Sequence, residues 1–359
     1  MSLAQMHLKS NIRDYIVYFV ESPSFVAELA ALPNALFIID EMVWKHHANG
    51  CLACLRNADL IVLPVHEELK CLRTVEELYE QIMGRSPKKN LNLISIGGGI
   101  TQDVTGFIAS TLYRGVTWTF VPTTLLAQTD SCIGAKTSLN FKRYKNLIGT
   151  FYPPSAIYLH TPFLATQEVV DYFSGLGELA KLHMLGGQED TQKLMSALPS
   201  LMKRDLQVLL HSIKSSLEIK QSYIEEDEFD TGRRNMLNYG HCFGHALETA
   251  TDFTVPHGQA VVIGMLLANQ VAIQRGKLSV ATGRLYAEKI LMPILRVDKE
   301  RLLLDEEKII AAMQQDKKRT GVGLPLVMLT EGHQMVKVDD LTETEVRAVL
   351  TEFRSGFKQ

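Results

Sequence analysis

Short apolar runs alternate with segments of helical periodicity in the first half of the chain. Strands are predicted at residues 35–40, 59–65, 92–96, 117–121 and 156–160. Between the first four of them, apolar residues recur every three or four positions, which predicts helices within residues 42–55, 74–83 and 103–113. Apolar strands that alternate with helices are typical of a mostly parallel sheet covered by helices. We therefore predict an α/β domain over residues 1–160.

The second half has a different pattern. After about residue 161, strand-like runs nearly vanish and amphipathic helical patterns take over, the longest of them at residues 191–226. Near the end, Thr342 and Glu345 stand three residues apart, the spacing of a capping box at a helix N-terminus. We therefore predict a mainly α-helical second domain over residues 161–359.

Composition and charge narrow the class of protein. Of the 359 residues, 46% are hydrophobic and 21% are charged, and the net charge of −3 argues against a general nucleic-acid binder. The apolar run at residues 260–268 is too short for a bilayer, which needs about 20 residues, and the first residues lack the apolar core of a signal peptide. We expect a cytoplasmic protein without membrane or nucleic-acid partners.

Cys51 and Cys54 have the spacing C-x-x-C, but the chain has no second C-x-x-C pair, so we interpret them as reduced, packed thiols.

A glycine triplet, residues 97–99, directly follows a predicted strand and precedes a predicted helix. Bare backbone at this place lets a phosphate approach the positive end of the helix. Residue 102 is glutamine, so the dinucleotide-binding fingerprint G-x-G-x-x-G is incomplete, and a tight turn is an equal alternative.

Irregular polar sequence follows the strand at 117–121. Asp130, Lys136, Lys145 and Asn146 lie in this segment, and two lysines in an otherwise apolar domain suggest an anionic ligand. The alternative is a solvated loop, the usual setting of a single lysine.

Three histidines lie close together in the second half. His241 and His245 are four residues apart and share a helix face, and His257 follows within one helix length. The zinc-protease pattern HEXXH is absent. Glu178 interrupts a small-residue, apolar stretch where a bare charge would be costly, so it is our candidate for a carboxylate ligand. Two histidines, one carboxylate and an open position would form a catalytic metal site, whereas any single histidine could be a satisfied core residue.

Several motifs in order carry a family resemblance from about residue 35 to 330. They are GGGITQDVTGF, YRGV, VPTTLLAQTDSCIGAKT, KNLIGTFYPP, GELAK, NYGHCFGHALE, HGQAVVIGM and DKK. With these stretches the chain resembles 3-dehydroquinate synthase and its sugar-phosphate cyclase relatives. The resemblance implies the dehydroquinate synthase-like fold, in which a Rossmann-like NAD-binding domain precedes a mainly helical metal-binding domain. It also implies a homodimer, NAD, and a divalent metal that is zinc or, alternatively, cobalt.

The same resemblance implies roles for individual residues. The metal ligands would be Glu178, His241 and His257. Catalytic residues would be Asp130, Lys136, Asn146, Lys181 and His245. Substrate would be bound by Arg114 (in the neighbouring subunit's site), Lys145, Lys220, Arg234, Asn238, and Lys317 or Lys318. The cofactor would be held by Asp40, Glu67, Lys70, Gly98, Gly99, Ile100, Asp103, Thr123, Thr124, Leu126, Lys136, Lys145 and Thr166.

The implied activity is formation of 3-dehydroquinate from 3-deoxy-D-arabino-heptulosonate 7-phosphate with elimination of phosphate. Lys220 and Arg234 match the pair that recognises the substrate carboxylate, which favours this acid over neutral sugar phosphates. Alternatives are the amino-dehydroquinate, 2-epi-5-epi-valiolone and 2-deoxy-scyllo-inosose synthases, and a metal-dependent polyol dehydrogenase. The chain departs from the family pattern at Thr101-Gln102-Asp103, Ala135, FKRY (141–144) and Gln259, which marks a divergent member.

Overall fold

A parallel sheet is the centre of the first of two structural units, Met1–Gln167 and Glu168–Gln359. The computed structural model describes residues 4–142, 144–297, 305–314 and 323–357. Strands of the first unit are β1 (Ala4–Leu8), β2 (Tyr15–Phe19), β3 (Ala35–Asp40), β4 (Leu60–Leu63), β5 (Asn92–Gly97), β6 (Thr117–Pro122), β7 (Lys136–Phe141), β8 (Tyr144–Phe151) and β9 (Ala156–Leu159). Its helices are α1 (Phe25–Ala30), α2 (Glu41–His47), α3 (Leu72–Gly84) and α4 (Gly99–Thr111), with 3₁₀ turns at Ala53–Asn57, Glu67–Leu69, Leu112–Arg114 and Thr161–Thr166 and a π-helical turn at Ala127–Ser131.

Seven strands form the main sheet in the order β1-β2-β9-β6-β5-β3-β4, and only the β1–β2 pair is antiparallel. Phe37, Ile39, Ile94, Ile96 and Val121 of the central strands form its buried core. These strands are apolar along their length because both faces are covered, and the sequence pattern located them for that reason. The antiparallel pair β1–β2 at one edge was not predicted.

The segment that the sequence analysis interpreted as irregular is in fact the hairpin β7–β8. It lies outside the main sheet, and its register places Ser138 opposite Gly149. A side chain at Gly149 is excluded, since a Cβ there would lie 2.2 Å from the Thr137 carbonyl oxygen. The residues of β7 alternate between buried and more exposed positions, a strand signal that the sequence analysis did not use.

Helices dominate the second unit, which carries one additional hairpin. The helices are α5 (Val169–Leu185), α6 (Gln188–Leu201), α7 (Leu206–Glu226), α8 (His241–Ala250), α9 (His257–Gln274), α10 (Val280–Tyr286), α11 (Met292–Ile294), α12 (Glu306–Gln314) and α13 (Glu343–Phe357), with a 3₁₀ turn at Arg233–Asn238 and a π-helical turn at Ala287–Leu291. The strands β10 (Leu324–Thr330) and β11 (Gln334–Leu341) pair antiparallel, joined by a 3₁₀ turn at Glu331–His333.

Local signals set several helix ends. The predicted pattern at 191–226 is divided between α6 and α7, because Asp205 caps the new helix by accepting hydrogen bonds from the Gln207 and Val208 backbone. Thr342 and Glu345 form the predicted capping box, with the Glu345 carboxylate 2.9 Å from the Thr342 nitrogen. Among the described residues, no helix has the length and apolar character needed to cross a bilayer.

The cysteine pair was interpreted only partly correctly. Cys51 and Cys54 are not joined by a disulfide. Cys51 is half-buried beside His47, whereas Cys54 is exposed instead of packed, because it lies on the outer side of a 3₁₀ turn.

Candidate active site

Three helices of the second unit bring the predicted histidines and carboxylate together. His241 and His257 are the first residues of α8 and α9, and Glu178 lies within α5. The Oε1 atom of Glu178 is 3.4 Å from His257 Nε2 and 3.7 Å from His241 Nε2. Ligand atoms of His241, His245 and His257 all lie within 4.8 Å of one another. Four possible ligand residues therefore surround one point.

Glycines next to the histidines allow the helices to approach so closely. A Cβ at Gly258 would lie 1.9 Å from the Ser174 carbonyl oxygen, so α9 meets the backbone of α5 directly. A Cβ at Gly264 would lie 1.9 Å from the carbonyl oxygen of Gly240, which precedes α8 with a left-handed φ of 79°. Any side chain at these contacts would separate the helices that carry the cluster.

The environment of Glu178 fits a bound cation. Its side chain is 1% exposed, and among the described residues neither carboxylate oxygen accepts a hydrogen bond. Its Oε2 lies 2.5 Å from Lys181 Nζ as an ion pair without hydrogen-bond geometry. Lys181 offsets the charge of Glu178, but buried oxygens without hydrogen bonds are costly, so the lone pairs of Glu178 remain open to a further cation such as a metal. Two imidazole nitrogens and one carboxylate oxygen are the donor set of a catalytic zinc site.

The outer nitrogens of both histidines are held by acceptors. His257 Nδ1 lies 3.1 Å from Glu248 Oε2, and His241 Nδ1 lies 3.2 Å from the Tyr239 carbonyl oxygen. Each Nε2 therefore faces Glu178. Burial, the Lys181 charge and the neighbouring histidines hold the pKa of His241 well below its usual value. Burial also opposes charge on His257, but Glu248 and Glu178 outweigh it and raise the pKa of His257 to about 10.

A pocket of about 450 Å³ opens beside the cluster. It is lined by Asn235, Asn238, His241, Cys242, His245, Pro325, Leu326, Val327 and Lys337. Asn238, His241 and His245 were predicted site residues. The β10–β11 hairpin supplies the last four lining residues, and the sequence analysis missed them because it predicted few strands in this domain.

Lys220 and Arg234, the predicted carboxylate-binding pair, are both buried, at 6% and 3% exposure. The turn before Arg234 is fixed by Asp227, whose carboxylate accepts hydrogen bonds from the Thr231, Gly232 and Arg234 backbone. These bonds outweigh the effect of burial and lower the pKa of Asp227 to about 2. Both predicted residues thus lie in the interior of the second unit.

Five predicted residues of the first unit lie in one polar network. Lys70 forms an ion pair with Asp103 and donates to Asn146 Oδ1 at 2.6 Å, while Glu67 Oε1 lies 3.8 Å from Lys145 Nζ. Burial raises the pKa of Asp103, although Lys70 and the Ser138 hydrogen bonds act in the opposite direction.

Two residues on β7, which the sequence analysis missed, join this network. Ser138 donates from its backbone nitrogen to Asp103 at 3.1 Å, and Asn140 donates to Glu67 Oε1 at 2.8 Å. Asn140 also accepts from the Asn146 nitrogen at 2.9 Å. Lys136, Ser138 and Asn140 occupy every second position of β7. This period-2 alternation is typical of a strand, and the sequence analysis did not use it.

The glycine turn leads directly from a strand into the start of a helix. Gly98 and Gly99 pass from β5 into the 13-residue helix α4. A Cβ at Gly98 would lie 2.9 Å from the Thr124 methyl group, so only bare backbone fits. Among the described residues, the buried Thr123 hydroxyl has no hydrogen-bond partner. The backbone amides at this helix start fit an anionic cofactor such as NAD.

Other predicted residues have separate surroundings. The Asp40 carboxylate caps α2 by accepting from the Met42 nitrogen at 2.8 Å, and burial raises its pKa. Thr166 Oγ1 lies 2.9 Å from His47 Nε2. Arg114 is exposed with a left-handed φ of 66°. Lys317 and Lys318 lie outside the described residues.

The departures from the family pattern are accommodated locally. Gln102 and Ser131 exchange hydrogen bonds of 2.7 Å, which ties the turn that contains Asp130 to α4. Gln259 is fully buried, and its amide donates to the Phe173 and Ile294 carbonyls. Ala135 has a left-handed φ of 61°, a conformation that favours glycine over alanine.

Known proteins resemble the chain both in sequence and in fold. Family models for the N-terminal and C-terminal parts of 3-dehydroquinate synthase match residues 60–173 and 175–319. The 3-dehydroquinate synthase of Sulfurovum sp. (strain NBC37-1) is 32% identical over 354 residues, 97% of each chain.

Two solved structures resemble the chain along its length. The structure of 2-deoxy-scyllo-inosose synthase with carbaglucose-6-phosphate, NAD⁺ and Co²⁺ has a TM-score of 0.84 and 23% identity, covering 97% of this chain and 100% of that one. The structure of 2-epi-5-epi-valiolone synthase from Streptomyces hygroscopicus subsp. jinggangensis 5008, with NAD⁺ and Zn²⁺, has a TM-score of 0.79 and 25% identity, covering 97% and 98%.

The fold is thus that of the sugar-phosphate cyclases. The chain belongs to the 3-dehydroquinate synthase family. These matches confirm the predicted family resemblance and the predicted fold class. They also confirm that the chain is an enzyme of the phosphate-eliminating cyclase type. The roles predicted for individual residues stay predictions.

Proposed function

We propose that the chain converts 3-deoxy-D-arabino-heptulosonate 7-phosphate into 3-dehydroquinate and phosphate. The observation that carries the proposal is the buried Glu178 carboxylate, which faces two histidine Nε2 atoms and accepts no hydrogen bond from a described residue. Such a site suits a catalytic divalent cation. Relatives named 3-dehydroquinate synthase match almost the full chain, which supports the assignment.

Glu178, His241 and His257 would hold the metal, with zinc as the expected ion. His245, whose ring is stacked 5.7 Å from that of His257, would remain outside the ligand set. It lines the pocket and is exposed, as a proton-transfer residue requires.

The cofactor would bind the first unit at the Gly98–Gly99 turn, with Glu67, Lys70 and Asp103 fixing its position. When bound, NAD⁺ would accept a hydride from the carbon of a secondary alcohol and later return it, and the metal would polarise the oxygen of that alcohol. NAD is therefore recycled and does not accumulate as NADH.

The residues of the chain bind the substrate and move its protons. A secondary alcohol of the substrate would become a ketone, a proton would leave the adjacent carbon, and the C–O bond to phosphate would break. After the hydride has returned to the ketone carbon, the ring would open and an intramolecular aldol step would form the C–C bond that closes the carbocycle. Lys136, Asn146 and Asn238 would hold the phosphate, and His245 would carry a proton. Positioning by such polar and charged groups supplies much of the rate acceleration.

Lys220 and Arg234 would bind the substrate carboxylate. Both are buried cations in the unit that carries the histidine cluster, and a guanidinium matches a carboxylate through paired hydrogen bonds. This pair favours the seven-carbon keto-acid phosphate over neutral sugar phosphates. The homodimer, the role of Arg114 within it and the cytoplasmic location stay predictions.

One experiment tests the proposal directly. The zinc-loaded protein is incubated with catalytic NAD⁺ and, separately, the keto-acid phosphate, its amino analogue, sedoheptulose 7-phosphate and glucose 6-phosphate. Released phosphate and the carbocyclic product are measured. We expect many turnovers per NAD⁺ with the keto-acid phosphate alone. Turnover of a neutral sugar phosphate instead would assign a different cyclase, and stoichiometric NADH would assign a dehydrogenase.

A further inference from the structure

We infer that Glu248 is a positioning residue that fixes the ring of His257 for metal binding. This inference rests on the metal site of the proposed function. Glu248 is 3% exposed, and its Oε2 lies 3.1 Å from His257 Nδ1. No predicted role covers this carboxylate, although it ends the motif that contains His241 and His245.

Glu248 belongs to the face of α8 that carries the other site residues. It follows His241 by seven residues and His245 by three, so all three project from one side of the helix. From there it reaches across to the first residue of α9. The contact therefore joins the two helices at the point where the cluster is formed.

Glu248 is placed to act through His257 and not as a ligand itself. In an imidazole ring, Nδ1 and Nε2 point in different directions. Glu248 contacts Nδ1, whereas Glu178 Oε1 faces Nε2 at 3.4 Å. Glu248 would therefore support the ring through Nδ1 and leave Nε2 to the metal.

The physical role follows from the tautomer that a metal requires. A histidine that binds through Nε2 keeps its proton on Nδ1, and an acceptor at Nδ1 fixes both this tautomer and the ring rotation. A carboxylate acceptor also makes the ring a stronger electron donor. His241 has the Tyr239 carbonyl oxygen in this place, at 3.2 Å. The Nδ1 acceptors of the two histidines therefore differ: His257 has a carboxylate, and His241 has a backbone carbonyl.

The test measures metal affinity independently of turnover. Wild type, Glu248→Gln and Glu248→Leu are compared by chelator competition for Zn²⁺ and Co²⁺ and by the visible spectrum of bound Co²⁺. Loss of a supporting carboxylate typically weakens metal binding about 10- to 100-fold. We expect this loss for Glu248→Leu, a changed Co²⁺ spectrum, and a smaller loss for Glu248→Gln, whose amide oxygen still accepts from Nδ1.

Glu189→Gln is the matched control, because Glu189 is an exposed glutamate of the same unit that pairs with Lys193. Its metal affinity should equal that of wild type. Thermal unfolding of each metal-free variant separates a general loss of stability from a specific effect. Should Glu248→Leu fail to fold, the comparison between Glu248→Gln and wild type decides.

The variant His257→Ala distinguishes failure of the Glu248 inference from failure of the proposed metal site. If His257→Ala loses the metal while both Glu248 variants bind it as tightly as wild type, the inference is wrong and the proposed function stands. A change in metal-free unfolding alone, with unchanged metal affinity, overturns the inference equally. If wild type itself binds no stoichiometric divalent metal, the metal site of the proposed function fails.

Discussion

The polar residues of the two units are satisfied in different ways. In the first unit, Lys70, Asp103 and Asn140 are joined to their neighbours by hydrogen bonds and ion pairs. In the second unit, the buried Glu178 carboxylate accepts no hydrogen bond from a described residue, although two imidazole nitrogens face it.

A self-satisfied network and an incomplete cluster imply different responses to mutation. The network of the first unit distributes its energy over many modest hydrogen bonds. In the cluster of the second unit, Lys181 offsets the charge of Glu178, but a ligand is needed to use the oxygen lone pairs that accept no hydrogen bond. Loss of one residue should therefore weaken the network of the first unit by degrees, whereas loss of one proposed metal ligand should disable the cluster of the second unit.

The largest effect is expected for His257→Ala. This variant removes a proposed ligand, so metal content should fall from about one ion per chain to near zero, and turnover should fall below detection. Metal analysis and a phosphate-release assay measure both, and chelation of wild type should abolish turnover in the same way. His211→Ala, an exposed histidine in α7, is the control. Full metal occupancy in His257→Ala would remove His257 from the ligand set.

Arg234→Ala should separate substrate binding from metal binding within the second unit. Losing a hydrogen bond to a charged partner costs about 1.5–3 kcal/mol, or roughly ten- to a hundredfold in kcat/KM for the keto-acid phosphate. Metal and NAD binding should persist, because Arg234 lies in neither proposed site. Arg233→Ala is the matched control, since that side chain is 44% exposed and pairs with Glu226. Equal losses in both variants would contradict a carboxylate-binding role.

Gly258→Ala tests whether the cluster depends on close backbone contact. The added Cβ would lie 1.9 Å from the Ser174 carbonyl oxygen, so α5 and α9 must separate. Overpacking of this kind costs about 1–3 kcal/mol, and we expect weaker metal binding together with a lower unfolding temperature. At Gly84 in the first unit, an added Cβ would meet no described atom within 4 Å, so Gly84→Ala should be tolerated. An unfolding temperature and metal affinity like those of wild type would show that α9 needs no such contact.

The smallest effect is expected in the first unit, for Asn140→Ala. Its side chain links Glu67 to the Asn146 backbone, and each such hydrogen bond contributes about 0.5–1.5 kcal/mol. NAD affinity should therefore fall only a few-fold to about tenfold, with metal content unchanged. Calorimetric titration measures the first, and Asn34→Ala, which breaks a surface pair with Asn90, is the control. Loss of metal in Asn140→Ala would contradict the separation of the two sites.

Much of the fold could be predicted from the sequence, because the signals are local. The strand at 35–40 agrees with β3 residue for residue, since a strand buried on both faces is an uninterrupted apolar run. The capping box at Thr342 and Glu345 likewise depends on residues only three positions apart. The hairpins β7–β8 and β10–β11 were missed. The period-2 alternation of β7 was a signal that the sequence analysis did not use, whereas β11 is mostly exposed and has no regular alternation.

For the site, the sequence by itself determined which chemical groups are present and that His241 and His245 share a helix face. Only the tertiary structure decided that Glu178 faces both His241 and His257, that Gly258 packs against Ser174, and that Glu248 holds the outer nitrogen of His257. The physical reason is the range of each interaction. Periodicity and capping act within a few residues, whereas these contacts join separate helices and exist only once the backbones pack at the distance that glycine allows.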